Sequence, residues 1–279
     1  MDRKFDREKG RNYNEKNRAE QVKSTEEKAE GRNADLIIGR NAVSEALRSE
    51  RVIDTLLVAR GERNGSIGRI IAECRDKNIV VKEVDKKKLD FLCGQGNHQG
   101  IAAYAAAHEY AEVEDIFALA EERGEDPFII ICDEIEDPHN LGAIIRTAET
   151  TGVHGIIIPK RRNASLSYAV GKTSAGAVEY VPVARVGNLA STIEDLKKRG
   201  LWVYTADMDG QNWCETDFSG PVALIVGSEG NGVSRLIKEK SDFVVSLPMR
   251  GKITSLNASV AAGILMYEVA RQRLGIKAK

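Results

Sequence analysis

The chain has 279 residues, of which 42% are hydrophobic, 30% charged and 5% aromatic, and its formal net charge is −1. That length suggests two domains of ordinary size or one large one, with enough apolar content for real cores. The balance excludes a chain drawn to nucleic acid by overall charge, and the scarcity of aromatics argues against a large aromatic ligand cage. Cys74, Cys93, Cys132 and Cys214 stand far apart with no CxxC pair, and His98, His108, His139 and His154 form no HExxH pattern. Reduced thiols, no zinc site and no metal are therefore expected. With no signal peptide and no apolar run of membrane-spanning length, a soluble, cytoplasmic protein is expected.

Residues 1–34 hold almost nothing that could build a core, since Phe5 and Val22 stand among charged residues and Asn. Such a segment cannot offset its ordering entropy, so a disordered charged tail is expected. Order is expected from Leu36-Ile37-Ile38. A helix over 41–48, a strand over 53–59, a helix carrying Ile67, Ile70 and Ile71, a strand over 79–81, a short helix around Leu89–Leu92, a loop over 94–100 and a closing strand over 101–106 follow. This alternation describes a small α/β sandwich over 35–107. Residues 108–126 are acidic and partly helical and read as a linker.

A second alternation fills 127–279. Phe128–Cys132 reads as a buried strand, and Asp137-Pro138 as an N-cap followed by Pro at the first helical position. Further strands are expected at 155–158, 178–183, 202–205, 223–226 and 244–247. Near-continuous apolar strands joined through helices indicate a parallel sheet covered on both faces. Ligands of such sheets bind outside the strands' carboxyl ends, which directs attention to the loops opening at Asp133, Ala206, Gly227 and Pro248.

Three segments carry chemistry. In the helix opened by Asp137, Leu141, Ile144, Ile145 and Ala148 face the core, so Arg146 points away from it, either solvated or paired with Glu149. Asn140 lies in the first turn, where end-capping is the simplest role. GSEGNG at 227–232 follows a strand and precedes a helix, but is neither the dinucleotide fingerprint nor a Walker loop. Its glycines allow close backbone approach to a ligand, while Glu229 disfavours a phosphate and favours a cationic or neutral group. Finally, LPMRGKITSLNASVAAGI runs through Ser255-Leu256-Asn257 into a small-residue helix for which Ser and Asn are good caps. That helix is apolar on several faces (Val260, Ala261, Ile264, Leu265, Met266, Val269), so it must be buried in a core or against a partner. Lys86–Lys88, Lys160–Arg162 and Arg250 with Lys252 are local basic clusters, each most simply a solubilising surface.

Taken together and in order, NLGAIIRTAE, IVGSEGNGVS and LPMRGKITSLNASVAAGI resemble the three motifs of the SpoU branch of the SPOUT RNA methyltransferases. The resemblance covers about 126–279, and GRNAVSEAL with NHQGIAAY in 36–107 resembles the L30e-like substrate-binding domain of many such enzymes. The combination looks most like bacterial 23S rRNA guanosine 2′-O-methyltransferases. The resemblance implies an α/β-knot domain with a C-terminal trefoil knot, a homodimer through that domain, and S-adenosylmethionine as donor. It implies catalytic roles for Asn140, Arg146, Glu229, Ser255 and Asn257. It implies donor binding by Thr205, Ala206, Gly227, Glu229, Gly230, Leu247, Met249, Ser255, Leu256 and Asn257.

Methyl transfer from a sulfonium to a ribose hydroxyl is an in-line displacement that needs alignment and stabilisation of a developing alkoxide. A guanidinium resists deprotonation, so Arg146 is expected to bind RNA phosphate and the incipient alkoxide rather than to act as a base. Asn140 and Glu229 would orient Arg146 and the ribose. Lys160–Arg162 and the 36–107 domain would grip RNA, with a hairpin loop of 23S rRNA as the expected substrate. The same chemistry on tRNA or another rRNA site, and a non-catalytic RNA-binding assembly factor, are the alternatives.

Overall fold

The computed structural model describes residues 35–277 except 50, 51, 63, 64 and 95, so the expectation of a disordered tail over 1–34 lies outside the described residues. The chain divides between Ala105 and Ala106 into two compact units.

The first unit runs β1 (Leu36–Ile38), α1 (Arg40–Arg48), β2 (Ile53–Ala59), α2 (Ser66–Asp76), β3 (Val80–Val84), α3 (Lys86–Cys93) and β4 (Ile101–Ala105). Its sheet has the order β1-β4-β2-β3, with β2 and β3 parallel and the other pairs antiparallel. Val43 and Leu47 of α1 and Ile67, Ile70 and Cys74 of α2 are buried with Leu56 and Val58 on one face. Leu89 and Cys93 of α3 cover the other face against Leu57 and Ala102. A sheet clad by helices on both sides is the sandwich that the alternating pattern predicts.

The second unit holds α4 (Val113–Arg123), β5 (Phe128–Asp133), α5 (Pro138–Thr150), β6 (Gly155–Pro159), α6 (Tyr168–Thr173), β7 (Val183–Val186), α7 (Leu189–Lys198), β8 (Trp202–Asn212), β9 (Val222–Gly227), α8 (Arg235–Lys240), β10 (Phe243–Ser246) and α9 (Ala258–Arg273). Its six strands are all parallel, in the order β10-β8-β9-β5-β6-β7. Leu141, Ile144 and Ile145 of α5 and Leu265, Met266 and Val269 of α9 cover one face. Ile116 of α4, Ile193 and Leu196 of α7 and Ile237 of α8 cover the other. Phe128–Asp133 is buried along its whole length because both faces are clad, which is why it lacks polar alternation.

Three sequence expectations change here. Residues 108–126, read as a linker, contain α4, which belongs to the second unit. Its acidic composition hides a narrow apolar stripe: Ile116 packs so closely that a Cβ on Gly155 would lie 2.4 Å from its Cγ1. The strand expected over 178–183 is instead a 3-10 turn at Ala177–Glu179 with β7 following at Val183. Gly176, at φ 87, turns the chain there, and Val178 and Val181 are apolar because the turn is buried. The strand expected to end at 205 continues to Asn212, but its pairing with β10 jumps from Thr205↔Val244 to Gln211↔Val245. The intervening Ala206–Gly210 bows out of the ladder. Gly210 permits the return, since a Cβ there would lie 2.5 Å from the Val244 carbonyl carbon.

Among the described residues, no helix is long and apolar enough to cross a membrane. The C-terminal helix is anchored by its end: Arg273 donates to the carbonyls of Asp126, Pro127 and Gly220 at 2.7–3.1 Å and lies over the Phe128 ring.

Candidate active site

The carboxyl ends of β5, β8, β9 and β10 converge, and the loops leaving them build the site. The β9 loop closes on itself through reciprocal backbone bonds between Ser228 and Gly232, at 3.0 and 2.9 Å. Gly227 is required for that closure, because a Cβ would lie 2.1 Å from the Gly232 carbonyl carbon. Gly232, at φ 64, supplies the left-handed residue. Asp133, buried at the end of β5, accepts from the Ser234 N–H at 2.7 Å and ties this loop to the centre of the sheet. On the β5 side, the Asp137 carboxylate caps α5 by accepting from the His139 N–H at 2.9 Å, with Pro138 in the first turn as expected. On the β10 side, Asn257 caps α9, its Oδ1 accepting from the N–H groups of Ser259 and Val260 at 3.0 and 3.3 Å.

These three anchors bring together side chains remote in sequence. Asn140 Nδ2 donates to Glu229 Oε1 at 2.9 Å. Asn257 Nδ2 donates to Asn140 Oδ1 at 2.9 Å and also to Glu229 Oε1. Asn257 therefore works at both ends of its amide, with the oxygen on the helix and the nitrogen on the cluster. Each amide has one satisfied orientation, so the cluster presents Glu229 as an oriented acceptor.

Two cavities meet at this cluster. One, of about 270 Å³, is walled by Val245, Leu247, Leu256, Ala261 and Leu265 and rimmed by Ala206, Gly227, Glu229, Gly230, Met249 and Ser255. The other, of about 360 Å³, is bordered by Glu134, Glu136, Asp137 and Asn140. Ser228–Asn231 and Ala258 border both. An apolar wall facing glycine-rich backbone, with a carboxylate at the rim, suits a ligand having a flat apolar part and a cationic centre.

Most residues that the sequence nominates meet here, but two do not. Thr205 is fully buried and is absent from the cavity lining; its hydroxyl is hydrogen bonded to Ser241 instead. Thr205 is the last β8 residue paired in the regular ladder, opposite Val244, whereas Ala206 begins the bowed segment that lines the cavity. Arg146 is exposed and lines neither cavity. Neither Glu149 nor any other described residue pairs with it.

The bowed segment of β8 adds residues that the sequence reading missed: Asp207 and Met208 line the first cavity. Asp207 pairs with Lys238 at 2.7 Å. Burial pushes this carboxyl up, but the Lys238 ammonium and the backbone N–H groups of Met208 and Asp209 outweigh it and hold the group below its ordinary range. Its position just past Ala206, at a strand's carboxyl end, was the available signal.

Fold and site together define a class of enzyme. Residues 127–267 match the SpoU rRNA Methylase family, and residues 36–111 match the RNA 2′-O ribose methyltransferase substrate-binding family. The chain belongs to the SpoU methyltransferase family. It is 51% identical over 240 residues to the TrmH family tRNA/rRNA methyltransferase YacO of Bacillus subtilis (strain 168), spanning 86% of this chain and 96% of that protein. A TrmH family tRNA/rRNA methyltransferase of Staphylococcus aureus (strain MSSA476) is 46% identical over 242 residues, spanning 85% and 96%. Among solved structures, the AdoMet-bound rRNA methyltransferase of Sinorhizobium meliloti superposes with a TM-score of 0.53 at 26% identity, covering 86% of this chain and 87% of that one. The SpoU methyltransferase AviRb of Streptomyces viridochromogenes, solved with AdoMet, has the same fold, with a TM-score of 0.54 at 24% identity over 86% and 90%.

Proposed function

We propose that this enzyme transfers a methyl group from S-adenosylmethionine to the 2′-hydroxyl of a guanosine in 23S rRNA, in the cytoplasm. The observation that carries the reading is the Asn140–Glu229–Asn257 cluster at the common rim of two cavities. One cavity has the walls for the donor, and the other is open to a nucleotide. Bound there, the donor supplies an electrophilic methyl carbon on a sulfonium.

The chain's own residues do the rest. Val245, Leu247, Leu256 and Leu265 would hold the donor's apolar part, with Ala206, Gly227, Gly230, Met249 and Ser255 at the rim. Glu229 favours the cationic end, and its two amide partners fix the carboxylate's orientation. Arg146 binds the RNA phosphate and stabilises the developing alkoxide, whose proton passes to water or that phosphate, and Lys160–Arg162 add phosphate contacts. Among these three basic residues, Arg162 already donates to Glu134 at 2.9 Å on the border of the second cavity.

The homodimer and the knotted C-terminal domain are part of the same reading. An open groove of about 1400 Å³ runs along α5 and α9, lined by Ala143, Thr147, Val260, Gly263, Ile264 and Tyr267. It supports a second copy seated on the face of α9 that the core leaves uncovered. Arg146 precedes Thr147 in α5 and lines neither cavity, so in this reading its place at the reactive group would come from assembly of the dimer.

The test is methyl transfer from labelled S-adenosylmethionine to undermodified 23S rRNA and to bulk tRNA, with Asn140→Ala and Arg146→Ala alongside. The expected result is label on one guanosine ribose of 23S rRNA, lost in both variants. Label on tRNA alone would move the substrate and keep the chemistry. Silence on both RNAs and on precursor subunits would overturn the reading in favour of an assembly factor.

A further inference from the structure

The basic run Lys86–Lys88 opens α3, and the structure shows what else stands on that helix's outer side. Leu89 and Cys93 are buried and Leu92 is half-buried, which fixes the inward face. At about 100° per residue, Phe91 then points almost directly away from the core, with Lys87 and Lys88 four and three residues before it as its helical neighbours. Phe91 is 77% exposed, a high value for so large an apolar side chain. All three lysines are exposed, and their side chains have no hydrogen bond or ion pair with any described residue.

The two acids flanking them along the chain each have another partner. Asp85, before the helix, pairs with Arg60 at 3.4 Å. Asp90 is hydrogen bonded to the buried His98 at 2.7 Å, whose other ring nitrogen accepts from the Gly100 N–H at 2.9 Å. That bond fastens α3 to the loop entering β4, so the helix presents Phe91 from a fixed backbone. An outward aromatic ring beside lysines that form no ion pair contributes nothing to the core. It combines the two features that hold single-stranded nucleic acid: a face for a base to stack on and charge for the phosphates beside it.

We propose that the outer face of α3 binds an unpaired stretch of RNA, with Phe91 stacking on one splayed base and Lys87 and Lys88 contacting the adjoining phosphates. The choice of RNA as partner rests on the function proposed above. The surface itself rests on the geometry of α3. Stacking accepts any base, so this contact selects for unpaired RNA rather than for sequence.

The experiment measures binding of the full chain to a fluorescein-labelled RNA hairpin with an eight-nucleotide loop and to a fully paired RNA of equal length. Phe91→Ala should weaken hairpin binding by roughly 5- to 150-fold. It should leave duplex binding and the affinity for S-adenosylmethionine unchanged. Phe91→Tyr should bind like the wild type, and Phe91→Leu, apolar but without a ring, should resemble Ala. Replacing Lys87 and Lys88 together by Gln should lower the slope of log affinity against log salt by about 1.4. Because Phe91 is exposed, none of these variants threatens folding. Hairpin binding by Phe91→Ala or Phe91→Leu within twofold of wild type would overturn the proposal, whether or not the enzyme methylates RNA. A wild-type enzyme that binds the hairpin through Phe91 but methylates no RNA would instead overturn only the function.

Discussion

Asn257 joins two jobs that substitution can separate. Its Oδ1 caps α9 and its Nδ2 holds Asn140 and Glu229 together. Asn257→Ala removes both. Losing the cap costs about 1 kcal/mol, a fall in Tm of about 2–4 °C for a unit of this size. Asn257→Asp keeps the capping oxygen and adds negative charge at a helix N-terminus, so its stability should stay within about 0.5 kcal/mol of wild type. The aspartate, however, loses both donated bonds and sets a second carboxylate against Glu229. The cluster is solvent-accessible, so the lower ends of the usual ranges apply: about 1.5 kcal/mol for the bond to the carboxylate and about 0.5 for the amide–amide bond. About 2 kcal/mol of lost preorganisation corresponds to roughly a 30-fold fall in kcat/KM. As pH drops, one of the paired carboxylates takes up a proton and becomes a donor again, so part of the activity of Asn257→Asp should return on the acid side. Thermal melts and methyl-transfer kinetics from pH 5 to 9 would check this. If Asn257→Asp loses as much stability as Asn257→Ala, or keeps kcat/KM within threefold of wild type, the division of labour argued for this amide is wrong.

Gly142 of α5 faces α6 so closely that a Cβ would stand 2.6 Å from Thr173 Cβ and 3.0 Å from the Val170 carbonyl oxygen. Gly142→Ala gains helix propensity but forces the helices apart, a net loss of about 1–2 kcal/mol readable as a lower urea midpoint; a raised midpoint would refute it. His154 is fully buried, with Nδ1 accepting from the Phe128 N–H at 2.9 Å and Nε2 facing Glu125 at 3.1 Å. Burial lowers its pKa; Glu125 opposes that, while Arg123 and Arg273 reinforce it. Below about pH 6.5 the unfolded chain therefore binds a proton that the folded chain refuses. The stability present above that pH should decline as pH falls toward the folded pKa, by at most about 1.4 kcal/mol per pH unit from this group. His154→Asn, which keeps an acceptor but does not titrate, should lose stability less steeply between pH 7 and 5, and equal slopes would show that this histidine does not contribute.

What the sequence determined by itself was local. Short apolar runs and helical apolar stripes located most strands and helices, because an apolar side chain must face inward whatever it packs against. Asp137-Pro138 and Asn257 were readable as caps because a cap bonds to backbone within its own first turn. The resemblance to known motifs nominated Asn140, Glu229 and Asn257. Only the tertiary structure decided that these three touch, since the strand order β10-β8-β9-β5-β6-β7 sets loops side by side that lie far apart along the chain. It likewise kept Thr205 in the regular ladder and bowed Asp207 toward the cavity, because the pairing of β8 with β10 breaks after Thr205 and resumes only at Gln211. It buried Ile116 within an acidic segment that composition alone read as a linker. It also left Phe91 in solvent, where hydrophobicity alone would have placed it in a core. Periodicity ranks the faces of one element; which loop meets which, and which face is left uncovered, are set by long-range packing.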